Sequence, residues 1–312
     1  PKEVAYARML LEQGRRRAAD LRAGRAPWLE QKGLVLRGHR SRLDGSVQPY
    51  GLVVPEDLAT LPAQPPLLVW LLGRGEKRTE LAFLAEREAG PPQLVPKGTL
   101  VLVPYGRFCN ATKFAGEVDV FEALAAVRRR HPGLRRVLGC NVAGAAVAER
   151  IEAACAGLAV DWLVPGPAVG GVRNLYARPA QLGADRWAAL IGARALHPHA
   201  ALVVTAGTAT TVDLLSASGE FLGGLILPGL DLMRRALARE TAGLPFANGH
   251  YRVLPRCTDD AIVSGALEAS AGAVERAWRR LGDEAAVCLL SGGNAPGLAA
   301  VLPIPHRRVD NL

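Results

Sequence analysis

Ala201-Leu202-Val203-Val204-Thr205-Ala206-Gly207-Thr208-Ala209-Thr210-Thr211-Val212-Asp213 reads as strand, turn and strand. Apolar and β-branched residues fill both arms, and glycine sits between them. Ala201–Val204 is predicted as one strand and Thr210–Ser216 as the next. Phe221–Ile226 follows as a third, and the short glycine-bearing connections predict an antiparallel, adjacent set. The turn itself places a glycine, free amides and hydroxyls at one tip, an arrangement that suits an anion. The same residues also suit a plain hairpin turn.

Working outward, Gly223-Gly224-Leu225-Ile226-Leu227-Pro228-Gly229 runs into a helix predicted over Asp231–Arg239. Glycines before a helix start leave unpaired amides where the dipole favours anions, although close strand–helix packing also calls for glycine. Gly183-Ala184-Asp185-Arg186 opens another helix, Asp185–Leu196, and sets a carboxylate beside a guanidinium. An Asp at that place is equally a helix cap. A long helix over Asp259–Leu281 and a strand Val287–Leu290 lead to Ser291-Gly292-Gly293.

These motifs, in this order, resemble the type III pantothenate kinases and the related Bvg accessory factor proteins. The resemblance covers residues 136–312 and implies an actin-like ATPase fold, built of ribonuclease-H-like halves, with ATP-dependent phosphorylation of pantothenate at the start of coenzyme A synthesis. It implies Asp185 as general base, with Tyr176, Gly183 and Arg186 holding pantothenate. Thr241 would reach a neighbouring subunit's site in a homodimer. Gly207, Thr208, Ala209 and Thr210 would hold the ATP phosphates, and Gly292 and Gly293 would lie near the adenosine. ATP, Mg2+ and a monovalent cation, K+ or NH4+, are the cofactors implied. Two departures stand out: no Asp-x-Gly-Asn segment precedes Arg136, and Thr205 stands where many members carry Asp.

Residues 1–135 have a different character. An amphipathic helix is expected over Val4–Leu29, strands at Leu34–His39 and Tyr50–Val54 around the Asp44-Gly45 turn, and a Pro-rich loop at Leu61–Pro66. The apolar runs Leu67–Leu72, Thr99–Val103 and Arg136–Cys140 alternate with helices at Leu81–Glu88 and Val118–Arg130, as in a sheet buried on both faces. Beyond that strand the pattern changes, and helix Ala145–Ala156 and strand Val160–Val164 are expected to open the following part. Ser46-Val47-Gln48-Pro49-Tyr50-Gly51, Leu71-Leu72-Gly73-Arg74-Gly75, Pro104-Tyr105-Gly106-Arg107 and Lys113-Phe114-Ala115-Gly116-Glu117-Val118-Asp119-Val120 resemble the front of α/β-hydrolases of the prolyl-oligopeptidase type. Such enzymes carry a Gly-x-Ser-x-Gly elbow, but here the strand ends Gly139-Cys140-Asn141-Val142-Ala143-Gly144. Leu72 stands where His-Gly is usual. An acyl-transfer activity is therefore not expected, and Cys140 is expected to be a buried structural thiol. The expected organisation is an incomplete hydrolase-like segment, 1–135, joined to a kinase-like domain, 136–312. The alternatives are an esterase or peptidase of the α/β-hydrolase class, disfavoured by the absent elbow, and a non-catalytic protein that keeps a nucleotide or pantothenate pocket.

Composition agrees with a folded α/β chain: 49% of the 312 residues are hydrophobic and 21% charged. The net charge of +9 is spread as Arg along helices, with only short runs such as Arg15–Arg17 and Arg128–Arg130, so no nucleic-acid surface is expected. Five cysteines form no CxxC pair and no His stands at zinc-ligand spacing, so sequence spacing predicts neither a metal cage nor a disulfide framework. No apolar leader and no run of about 20 apolar residues is present. The expectation is a cytoplasmic protein without a membrane partner.

Overall fold

The computed structural model describes residues 2–57, 65–70, 79–90, 95, 97–109, 115–134, 136–142, 144–155 and 157–309. They divide into two compact units, Pro1–Gly139 with Ala145–Asp161, and Cys140–Gly144 with Trp162–Leu312. The hydrolase-like positions Leu71 to Gly75, Lys113, Phe114 and Ala143 lie outside the described residues.

The first unit opens with helix α1 (Lys2–Arg22), then strands β1 (Gly33–Arg40) and β2 (Val47–Val54). The first helix ends earlier than its periodicity suggested. Gly24 adopts φ 70°, and Pro27 follows in a short 3-10 turn, so the chain leaves the helix before Leu29. Next come β3 (Leu67–Val69), α2 (Glu80–Glu88), β4 (Leu100–Pro104), α3 (Gly106–Cys109), α4 (Ala115–Arg130), β5 (Arg136–Gly139), α5 (Ala145–Ala154) and β6 (Ala159–Trp162). The sheet order is β1-β2-β4-β3-β5-β6. Strand β2 runs antiparallel to both neighbours, while β3 is parallel to β4 and β5. Alternation along β4 explains its unbroken apolar run. Leu100 and Leu102 join Leu124 and Val127 of α4, whereas Val101 and Val103 join Phe83 of α2 and Tyr105.

The second unit holds β7 (Ala168–Val169), β8 (Val172–Asn174), α6 (Ala184–Leu196), β9 (Ala201–Ala206), β10 (Ala209–Leu215) and β11 (Glu220–Pro228). It continues with α7 (Leu230–Glu240), α8 (Thr258–Leu281), β12 (Val287–Ser291), α9 (Ala295–Ala299) and β13 (His306–Arg308). The sheet order is β13-β12-β9-β10-β11-β8-β7. Strands β9, β10 and β11 form the expected antiparallel meander, with β12 parallel to β9 and β13 parallel to β12. The short strands β7, β8 and β13 and the helix α9 carry too few residues for a periodic signal, and sequence reading did not find them.

Period-two alternation along β9 again sorts the core. Ala201 and Val203 pack with Trp187, Leu190 and Ala193 of α6, while Leu202, Val204 and Ala206 pack with Ala271, Val274 and Ala277 of α8 and Leu298 of α9. Trp187 is fully enclosed. Its burial secures α6 against the sheet by about 2–3 kcal/mol of apolar transfer. The start of α6 is thereby fixed over β10.

Candidate active site

Two groups of residues form in the second unit. The first gathers at the start of α6. Gly183 precedes the helix, and a Cβ there would stand 2.6 Å from Asp185 Oδ1, so glycine leaves room for the carboxylate to fold back over the first turn. Asp185 Oδ1 accepts the Arg186 backbone N–H at 2.8 Å, and the side chain stays exposed.

Arg186 turns the other way, into the protein. Its Nε lies 3.1 Å from each Asp213 oxygen, its Nη2 donates to Asp213 Oδ1, and its Nη1 donates to the Tyr176 hydroxyl at 3.1 Å. The Arg186 and Asp213 side chains are 6% and 1% exposed. The Tyr176 and Phe221 rings, 5.2 Å apart, flank the guanidinium. Burial works against the charged guanidinium, but hydrogen bonding and charge from Asp213 outweigh it and raise its pKa. Gly224 is explained by this pair. Strand register sets it opposite Asp213, and a Cβ would collide with Asp213 Oδ1 and stand 2.6 Å from Arg186 Nη2.

The second group gathers at the β9–β10 tip. Gly207 N–H donates to Ala209 O at 2.9 Å, closing the turn, and Gly229 N–H donates to Thr208 O at 2.8 Å. A Cβ on Gly229 would run into Gly207 O and stand 2.5 Å from Thr208 O. Glycine therefore lets the start of α7 abut the turn, and no side chain caps that start. From the other side, Gly292 at φ 95° approaches Ala206, whose oxygen would be 2.5 Å from a Cβ there. Asn294 completes the contact, its backbone N–H donating to Ala206 O at 2.9 Å and its Nδ2 to Gly207 O at 3.3 Å. Thr208 is exposed, Ala209 partly so and Thr210 buried, so Thr208 supplies the accessible hydroxyl of the tip. Gly293 is exposed beside Gly292.

Thr241 joins neither group. It ends α7, exposed, with its hydroxyl donating to Leu237 O at 2.8 Å.

Asp213 and Asn294 were not singled out from sequence. Asp213 lay inside the quoted motif, but nothing local marks it as the partner of an arginine on another element. Cys140 corrects an expectation: the residue is exposed, because β5 ends at Gly139 and the chain leaves the sheet there. Burial around its sulfur, and then the Asp185 carboxylate, push its thiol up to about 11.

A family model described as type III pantothenate kinase matches residues 105–280. The match begins upstream of Arg136, where the motif resemblance began. A type III pantothenate kinase from Aromatoleum aromaticum is 61% identical over 193 residues, 61% of this chain and 80% of the relative. Another from Dechloromonas aromatica is 51% identical over 192 residues, spanning 61% of this chain and 81% of the relative. A third, from Azoarcus sp. strain BH72, is 53% identical over 200 residues, spanning 63% and 76%.

Proposed function

The chain belongs to the type III pantothenate kinase family, and on that premise we propose that it transfers the γ-phosphoryl group of ATP to pantothenate, the first step of coenzyme A biosynthesis. The observation that carries the reading is the closure of glycine motifs around the β9–β10 tip: Gly229 abuts Gly207 and Thr208, and Gly292 abuts Ala206 just before them, approaches that a Cβ would block. These approaches set the exposed Thr208 hydroxyl beside the start of α7, which no side chain caps, and such a helix start favours phosphate oxygens.

In this reading Gly207, Thr208, Ala209 and Thr210 line the phosphate side, with Gly292 and Gly293 toward the adenosine. Asp185 is the catalytic base, its exposed carboxylate accepting the proton of the pantothenate hydroxyl as the phosphoryl group moves. Gly183 keeps that carboxylate in place. Tyr176 and Arg186 bound the pantothenate side, and the Arg186–Asp213 pair holds the Tyr176 hydroxyl. Thr241 serves the site of a second copy in a homodimer. Mg2+ enters with the ATP phosphates, since it is commonly held through substrate oxygens and few carboxylates. Thr205, its hydroxyl 3.4 Å from that of Ser291, stands where many members carry Asp, so K+ or NH4+ at that place would meet hydroxyls rather than a carboxylate.

The strand order of the second unit supports a ribonuclease-H-like half of the actin-like ATPase kind: an antiparallel meander continued by two parallel strands beyond its first member. In the first unit, β2 runs antiparallel to β1 and β4 while β3 is parallel to β4 and β5, which supports the hydrolase-like reading of residues 1–135. Residues 136–139 and 145–161 belong by sequence to the kinase part and by packing to the first unit.

Pantothenate-dependent ADP release under saturating ATP and Mg2+ tests the function directly, with phosphopantothenate identified by mass. Stabilisation by ATP without turnover would replace the kinase by a nucleotide-binding protein.

A further inference from the structure

A second cluster of chemistry-bearing residues lies within the first unit, and the kinase reading makes no use of it. His39 comes from β1, and Asp119 and Glu122 come one turn apart from α4. Their side chains are 6%, 1% and 15% exposed. His39 Nε2 is 3.6 Å from Asp119 Oδ1 and 3.4 Å from Glu122 Oε2.

These distances are too long for good hydrogen bonds, and the groups are correspondingly orphaned. Both ring nitrogens of His39, both oxygens of Asp119 and Oε2 of Glu122 are buried without a hydrogen-bond partner among the described residues. An unsatisfied buried polar atom costs about 1–3 kcal/mol, more when charged, so the three that face one another, His39 Nε2, Asp119 Oδ1 and Glu122 Oε2, call for something between them. Gln48 stands opposite His39 in the β1–β2 ladder and leaves its own Oε1 unpartnered.

Geometry identifies what fits. Two donors each about 2.0–2.1 Å from one Zn2+ at the tetrahedral angle stand about 3.3–3.4 Å apart. The His39–Glu122 and His39–Asp119 separations are close to that spacing, and one donor atom from each residue lies within 4.8 Å of the other two. One supporting bond holds a ligand, Glu122 Oε1 accepting the Arg42 backbone N–H at 2.9 Å, while Arg107 Nε stands 3.4 Å from Asp119 Oδ1 as an ion pair without a hydrogen bond. The nearby Arg107 charge is shared with Asp44, Nη1–Oδ2 at 2.7 Å and Nη2–Oδ1 at 3.1 Å, which lessens its opposition to a cation. Two carboxylates and one imidazole remain for the ion.

We propose that His39, Asp119 and Glu122 form a site for a divalent transition metal of the zinc class, with a fourth position open to water. Three protein ligands and one open position distinguish it from a closed structural cage. Nitrogen and carboxylate ligands favour Zn2+ over Ca2+ or Mg2+.

The full chain, stripped with chelator and dialysed, is titrated with ZnCl2 by calorimetry and with CoCl2 by visible absorption. One equivalent of Zn2+ is expected. Co2+ should give the intense d–d bands of a four-coordinate nitrogen–oxygen site, without the sulfur charge-transfer absorption that Cys140 or Cys257 ligation would produce. Glu122→Gln lies at the rim and keeps the side-chain shape, and it should weaken Zn2+ binding by about 100-fold or more, as should His39→Gln. The result on the native chain stands even if a buried variant fails to fold. Failure of the native chain to take up either metal would overturn the proposal, as would unchanged affinity in a folded Glu122→Gln variant or a thiolate spectrum.

Discussion

Arg186 and Asp213 face each other inside the second unit, the guanidinium Nε equidistant at 3.1 Å from both carboxylate oxygens, with Gly224 against them. The pair ties the start of α6 to the middle of β10. It also orients the Tyr176 hydroxyl, which receives the remaining Arg186 bond.

Asp213→Ala is expected to destabilise the chain by about 3–5 kcal/mol, because it strands a buried guanidinium. Gly224→Ala should cost about 1–3 kcal/mol or more by forcing a methyl into the pair. Urea unfolding followed by tryptophan fluorescence measures both. A Gly224→Ala midpoint equal to that of the native chain would mean the strand yields without cost.

Asp185→Asn separates chemistry from folding. The side chain is exposed and its one internal bond, to the Arg186 N–H, survives as an amide carbonyl, so stability should change by only about 0.5 kcal/mol. Turnover should fall by about 100- to 10,000-fold, the usual worth of a general base. Full activity in this variant would remove Asp185 from its assigned role.

Gly229→Ala addresses the phosphate tip. The added methyl has nowhere to go but into Gly207 O and Thr208 O, so the turn and the start of α7 must part. The expected result is a raised KM for ATP and a diminished thermal shift with ATP, while KM for pantothenate changes little. An unaltered ATP response would show that the tip does not carry the nucleotide.

Cys140 gives a pH-dependent readout of the Asp185 environment. The thiolate is the reactive form, and a thiol pushed up to about 11 is almost wholly protonated near neutrality. Iodoacetamide labelling of Cys140, followed by peptide mass, should be slow at pH 8 and rise toward pH 11. Asp185→Asn removes a negative charge that disfavours the thiolate, so labelling at fixed pH should accelerate. The same protonation predicts no ester hydrolysis through Cys140, and ester turnover abolished by Cys140→Ala would contradict it. Half-maximal labelling below pH 8 would contradict the assigned surroundings.

Local patterning determined a large part of this chain. The meander β9–β11, the long helix α8 and the two-faced strand β4 follow from apolar period and glycine-bearing turns, which act between residues a few positions apart. The glycine motifs were also legible as motifs, but their necessity was not. Gly224 is required by Asp213 and Arg186, Gly229 by Gly207 and Thr208, and Gly292 by Ala206, contacts that exist only once strand register and helix placement are set. The meeting of His39 with Asp119 and Glu122 has the same origin: a strand and a helix far apart in sequence become neighbours only when the sheet of the first unit closes against α4. Sequence spacing pointed away from a metal there, because ligand-spacing rules see only donors clustered along the chain, whereas coordination depends on donors clustered in space.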